Sequence, residues 1–81
     1  MRPEITFFYT DDCGKCNELK PLISEFSEPL GIKMVNTYEE ELITESFKIE
    51  WVPTLVIEDK NGKHKFEGVK EIKEVLKKIV L

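Results

Sequence analysis

Apolar residues fall along this chain in two rhythms, and the rhythm changes wherever turn-forming residues intervene. Residues 5–10, Ile5-Thr6-Phe7-Phe8-Tyr9-Thr10, form a near-continuous run of β-branched and aromatic side chains. A run of that length, apolar or nearly so on both faces, predicts a central strand covered by helices on each side. Asp11 and Asp12 interrupt it with side chains suited to a turn and to capping a helix amino end. Leu19, Leu22, Ile23 and Phe26 then recur at spacings of three and four. That spacing predicts a helix packed on the sheet, with Glu18, Lys20 and Glu25 facing water. Pro21 inside the pattern predicts a kink, because its ring crowds the preceding turn and its nitrogen donates no backbone bond. Pro29 and Gly31 are expected to end the helix.

Residues 31–36 alternate well enough for a second strand. Because a whole helix joins it to the first, the two are expected to be parallel with a right-handed crossover. Thr37 and Glu40 have the spacing of a capping box, ahead of a short helix whose apolar face is Tyr38, Leu42 and Phe47. Glu39-Glu40-Glu41 reads as the solvated face of that helix at its amino end. The next strand begins after Pro53, since proline cannot donate into a central ladder. Asp59-Lys60-Asn61-Gly62 is a turn signal, and Lys63-His64-Lys65-Phe66 is the returning edge strand, its lysines discouraging edge-to-edge association. After Gly68, the positions Val69, Ile72, Val75, Leu76, Ile79 and Val80 repeat helically and read as a core-facing stripe. The expected order is strand, helix, strand, helix, strand, strand, helix, with no repeat, linker or low-complexity segment.

Length narrows this picture. With 81 residues, the chain is expected to be one domain over 1–81, and nearly all its elements must share one core. A domain of this size buries only about 60% of the surface its unfolded chain exposes. The start, Met1-Arg2-Pro3-Glu4, lacks the basic and apolar regions of a signal peptide, and no apolar run approaches membrane-spanning length. A cytoplasmic, monomeric protein without membrane contact is therefore expected. The net charge of −4, with no basic stripe, argues against a nucleic-acid partner. Lysine and glutamate are abundant while Arg occurs once and Ala and Gln are absent, a bias that suits either a heat-adapted source or codon composition.

Candidate chemistry centres on Cys13-Gly14-Lys15-Cys16, which holds the only two cysteines of the chain. Two intervening residues let the sulfurs meet across one turn if the segment opens a helix, so a disulfide can form and break there without moving the rest of the chain. As a structural staple it would do little, because constraint of the unfolded chain grows with loop length. In a reducing compartment a transient, working disulfide is favoured over a structural one. The nucleophile of such a switch is a thiolate. Cys13, at the expected amino end of the helix, has unsatisfied backbone N–H groups and the positive end of the dipole nearby. Lys15 adds a cation, as a solvent-facing charge that tunes potential rather than a proton carrier, while Asp11 and Asp12 oppose it unless they point at the helix backbone. Cys16 lies deeper in the first turn and suits the resolving role, attacking a mixed disulfide to release reduced substrate. Gly14 is either simply flexible or leaves room for a substrate to approach. Trp51 and Val52 are either core or an exposed apolar rim for docking.

Taken together, Cys13-Gly14-Lys15-Cys16 after an apolar strand, Pro21 five residues past the second cysteine, Val52-Pro53-Thr54 before a hairpin strand and Phe66-Glu67-Gly68 closing it resemble the thioredoxin and glutaredoxin superfamily. The match spans almost the whole chain. The resemblance implies an α/β thioredoxin-like fold, β-α-β-α-β-β-α, with a four-stranded mixed sheet in order 2-1-3-4 and helices on both faces. It also implies a cis Val52-Pro53 peptide beside the cysteines, with Val52 N–H and C=O making β-type contacts to an extended substrate segment and Trp51 packing nearby. The activity implied is thiol-disulfide oxidoreduction of protein disulfides without a cofactor, Cys13 attacking and Cys16 resolving, and Gly14, Lys15, Trp51, Val52 and Pro53 contacting substrate. The electron donor would be a thioredoxin-reductase-like enzyme or glutathione. Tyr9-Thr10, Gly14 and the small size look like glutaredoxin, whereas Pro53-Thr54 and the single Gly68 look like thioredoxin. Gly68-Val69-Lys70-Glu71 stands where a glutaredoxin usually carries Gly-Gly and Asp, and Asp12 and Phe7 stand where thioredoxin usually has Trp and a buried Asp.

Two other classes fit the same residues. Cys13, Cys16 and His64 supply at most three metal ligands, so a zinc site would need a fourth from elsewhere, and an iron–sulfur cluster would need a second chain. A non-catalytic interaction module with a vestigial cysteine pair is the other, which the retention of both thiols and Pro53 argues against.

Overall fold

The computed structural model describes residues 3–80 apart from the side chain of Val80; Met1, Arg2 and Leu81, and with them part of the amino-terminal segment weighed above, lie outside the described residues. The chain runs β1 (Glu4–Tyr9), α1 (Gly14–Leu30), β2 (Lys33–Asn36), α2 (Glu41–Ser46), β3 (Thr54–Asp59), β4 (Gly62–Glu67) and α3 (Val69–Val80). The strands form one sheet in the order β2-β1-β3-β4. β1 and β2 are parallel, with Phe7 opposite Met34 and Phe8 opposite Val35. β3 runs antiparallel to β4, as the expected hairpin requires, and antiparallel to β1 as well.

The period-2 alternation of β1 divides its side chains between two unequal cores. On one face Ile5 and Phe7 join Leu55 and Ile57 of β3 beneath Leu19 and Ile23 of α1 and Ile72 and Leu76 of α3, all buried. On the other, Phe8, Val35 and Val56 are covered by Phe47, Ile49 and Val52, which follow α2 in sequence. Phe8 and Phe47 meet in a tilted pair with ring centroids 5.3 Å apart. Lys63 of the edge strand adds to this cover, its Nζ 4.3 Å from the centre of the Phe47 ring, and Lys65 Nζ donates to the Lys48 carbonyl at 2.8 Å. The edge-strand lysines thus roof the second face as well as guarding the sheet edge.

Several expected details of the helices are corrected. Pro29 does not end α1; the helix runs through it to Leu30 and stops at Gly31, whose φ of 63° places it in the left-handed region. The carbonyl that Pro29 leaves without a helix donor is that of the exposed Glu25, which water can reach, and the helix closes where the carbonyl of Ser27 accepts from both Gly31 and Ile32. The Thr37–Glu40 capping box does not form, since α2 starts at Glu41 and no side chain caps it. The buried Asn36 at the end of β2 does that work one turn earlier, its Oδ1 accepting from the N–H groups of Tyr38 and Glu39 at 3.0 and 3.3 Å. Nor is α2 amphipathic as its spacing suggested: none of its residues is buried, Leu42 is 84% exposed and Tyr38 ahead of it 68% exposed. Of the three expected apolar positions only Phe47 reaches the sheet, because α2 is too short for its stripe to extend over the strands.

Candidate active site

The loop after β1 ends directly in the cysteine motif. Cys13 is the N-cap of α1, with its N–H donating to the Thr10 carbonyl at 3.4 Å and its own C=O accepting from Asn17 at 3.0 Å. Its Sγ accepts from the Cys16 N–H at 3.1 Å, taking up one of the donors a helix start leaves unsatisfied. The cap is therefore the first cysteine itself rather than Asp11 or Asp12. Asp11 turns away to accept from Asn36 Nδ2 at 3.3 Å, with Lys20 Nζ at 4.0 Å from its other oxygen, and Asp12 is exposed. Lys20, expected to face water, is half-buried and lies 4.6 Å above the centre of the Tyr9 ring.

Cys13 and Cys16 are bonded to each other, with Cα atoms 5.2 Å apart. Their exposures differ: Cys13 is half-buried, and Cys16 is wholly buried beneath the first turn. Gly14 and Lys15 between them are exposed. A side chain at position 14 would meet nothing within 4 Å, so neither backbone geometry nor packing within the protein demands a glycine there.

The other expected site residues converge on the same end of the sheet. The Val52-Pro53 bond is cis, Pro53 is buried, and its carbonyl accepts from Gly68 N–H at 3.1 Å, which ties the loop before β3 to the start of α3. Trp51 is 67% exposed and Val52 half-buried, which decides for the rim at Trp51 and for a partly packed position at Val52. Among the described residues Val52 makes no backbone hydrogen bond through its N–H or C=O. Thr10, Thr37, Tyr38, Ile49, Trp51 and Val52 line a groove of about 310 Å³. Cys13 is not among the lining residues; Thr10, whose carbonyl accepts from the Cys13 N–H, connects the groove to it. His64, weighed as a third ligand beside the cysteines, lies on β4 with its Nε2 3.6 Å from Asp59 Oδ1. Among the described residues no three His, Cys, Asp or Glu side chains gather in a metal-holding cluster.

Asn36 is the residue that sequence reasoning missed. It joins the active-site loop, through Asp11, to the loop that forms one wall of the groove. The available signal was an Asn at the carboxyl end of a strand directly ahead of a turn, the position from which its side chain bonds backbone N–H groups. Asn36→Ala leaves those donors and Asp11 without it, and is expected to lower stability by about 1–3 kcal/mol. The check is a lower urea midpoint at unchanged slope.

Comparison with known proteins agrees with this geometry. The thioredoxin family model matches residues 2–80. The chain is 34% identical over 84 residues to the chloroplastic thioredoxin Y of Oryza sativa subsp. japonica, a match covering 96% of this chain and 49% of the relative. It thus spans about half the length of the curated relatives it matches. Among solved structures, Fasciola hepatica thioredoxin superimposes with a TM-score of 0.80 at 17% identity, over 95% of this chain and 80% of that one. Thioredoxin 1 of Thermosipho africanus gives a TM-score of 0.69 at 20% identity, over 96% of this chain and 99% of that one. The fold is thioredoxin-like, and the chain belongs to the thioredoxin family, so its mixed motif features fall on the thioredoxin side.

Proposed function

We propose that this protein reduces protein disulfides by dithiol exchange. The observation that carries the reading is the unequal burial of a bonded cysteine pair at a helix start, Cys13 reachable and Cys16 enclosed. In the reduced protein the Cys13 thiolate, beside the Cys16 N–H and the amino end of α1, attacks one sulfur of a substrate disulfide. That bond breaks, a Cys13–substrate disulfide forms, and the departing substrate sulfur takes up a proton. Cys16 then gives up its proton and attacks the Cys13 sulfur, re-forming the internal disulfide and releasing the second substrate thiol. Two electrons pass from protein to substrate, and a reductase dithiol or glutathione returns them. The exposed Gly14 and Lys15 leave the approach to Cys13 open, while Val52 offers its backbone N–H and C=O to an extended substrate segment, with Trp51 and Pro53 beside it. Our reading is of a monomer working in a reducing compartment, the cytoplasm. Among the described residues no helix is long and apolar enough to cross a membrane.

An equilibrium titration in dithiothreitol buffers, read by thiol alkylation and intact mass, tests the switch. The expected result is one reversible two-electron transition between two alkylated cysteines and none. Thiols that never form an internal disulfide, or that stay protected until a chelator is added, would overturn the reading in favour of metal or iron–sulfur binding by the cysteine pair.

A further inference from the structure

The groove beside the disulfide has a chemical character that dithiol exchange alone does not require. Its wall carries two large aromatic rings turned to solvent, Trp51 and Tyr38, exposed by 67% and 68%. Tyr38 also lines a neighbouring depression of about 590 Å³ together with Glu39, Glu40 and Glu41, and Glu50 lines the groove itself. Residues 37–52 hold five glutamates and one cation, Lys48, and β4 brings Lys63 to Phe47 and Lys65 to the Lys48 carbonyl, which leaves the segment acidic by five charges to three. Among the described residues none of Glu39, Glu40, Glu41 and Glu50 is paired with a cation. Open aromatic faces interleaved with unpaired carboxylates favour lysine and arginine, whose stems lie on rings and whose charges meet the acids.

We propose that this groove selects substrates, holding an extended stretch of the substrate protein next to its disulfide and favouring Lys or Arg in that stretch. The proposal rests on the dithiol-exchange reading and names the class of substrate it serves. Thr10 links the groove to the disulfide: it lines the groove, and its carbonyl accepts from the Cys13 N–H at 3.4 Å. Asn36 ties the active-site loop to the Tyr38 wall, through Asp11 on one side and the N–H groups of Tyr38 and Glu39 on the other.

The test uses the full, pre-reduced chain and three disulfide-bonded peptides that differ only at two positions flanking one cysteine, occupied by Lys, Gln or Glu. The second-order rate constant for reduction of the Lys peptide is expected to exceed that of the Glu peptide about tenfold at low salt. The ratio falls to about twofold in ~0.5 M NaCl, where the screening length drops to a few ångströms. It falls as far in the Glu39→Gln, Glu40→Gln, Glu41→Gln, Glu50→Gln variant. A control with the same change in net charge on α1 and α3, Glu25→Gln, Glu28→Gln, Glu71→Gln, Glu74→Gln, keeps the tenfold ratio. Equal rates for the three peptides, or a ratio that drops equally in both variants, would overturn the groove's role while leaving dithiol exchange intact. Failure to reduce any of the three would instead sink dithiol exchange, and this proposal with it.

Discussion

Cys16→Ser is expected to arrest the protein as a covalent adduct with its substrate, and Cys13→Ser to lower the rate of disulfide reduction by at least ~10³-fold, the scale of loss when a nucleophile is removed. The two outcomes differ because of where the sulfurs sit. Cys13 is half-buried at the N-cap and open past Gly14 and Lys15, so it alone can meet an external disulfide. Cys16 is fully enclosed and touches the outside only through Cys13. Removing Cys16 leaves the first attack intact and takes away the step that releases the product, so a mixed disulfide accumulates. Removing Cys13 leaves a thiol that no protein substrate can reach. Non-reducing electrophoresis and intact mass after incubation with a disulfide-bonded substrate read both. Adducts from the Cys13→Ser protein instead would reverse the assignment, and adducts from neither would remove the attacking–resolving scheme altogether.

The second large effect is on stability. Phe7→Ala is expected to destabilise the fold by about 3–5 kcal/mol, against a total of about 4–12 kcal/mol for a chain of this length. Phe7 is wholly buried in the main core, stacked on Tyr9 with ring centroids 6.1 Å apart and opposite Leu55 and Met34 in the sheet. Central strand β1 has neighbours on both sides and two helices above this face, so little can collapse into the space a lost ring leaves. Urea unfolding followed by far-ultraviolet circular dichroism gives the value. A loss below about 1 kcal/mol would mean that the core closes around the gap.

How far the chain could be read without its structure depended on how local each decision is. The apolar run of β1, the Asp59–Gly62 turn, with Asn61 N–H donating to Asp59 Oδ1 at 2.8 Å, and the helical stripe of α3 rest on near neighbours and formed where expected. Strand order and the cis bond at Pro53 came from resemblance, since no short-range pattern encodes them. The two capping errors share one origin, which is that other groups already occupy the places or the backbone N–H groups in question. Asp11 and Asp12 are good caps, yet Cys13 already sits at the N-cap and Asn36 draws Asp11 aside. Thr37 and Glu40 have the right spacing, but the N–H groups such a box would bind are already taken, that of Thr37 by the Tyr9 carbonyl and that of Glu40 by the carbonyl of Asn36. Tyr38 and Leu42 match a helical stripe whose helix, only Glu41–Ser46, has no room to turn them onto the sheet. At the site, the cysteine pair was legible from spacing alone, whereas the groove joins residues far apart in sequence and emerges only when β1, β2 and the loop before β3 meet.

The unequal cover of the two sheet faces has a further consequence. α2 buries none of its own residues and is held down chiefly through Phe47 and Ile49 behind it, whereas α1 and α3 are each clamped by fully buried side chains. Opening of α2 is therefore expected to require less free energy than opening of the remainder, so that the molecule opens as two units of unequal stability. In a hydrogen-exchange measurement, amide protons of α2 are expected to exchange through this local opening and those of β1 and β3 only on global unfolding. Tyr38 and the glutamates that flank the groove belong to the weaker unit, and Cys16 to the stronger.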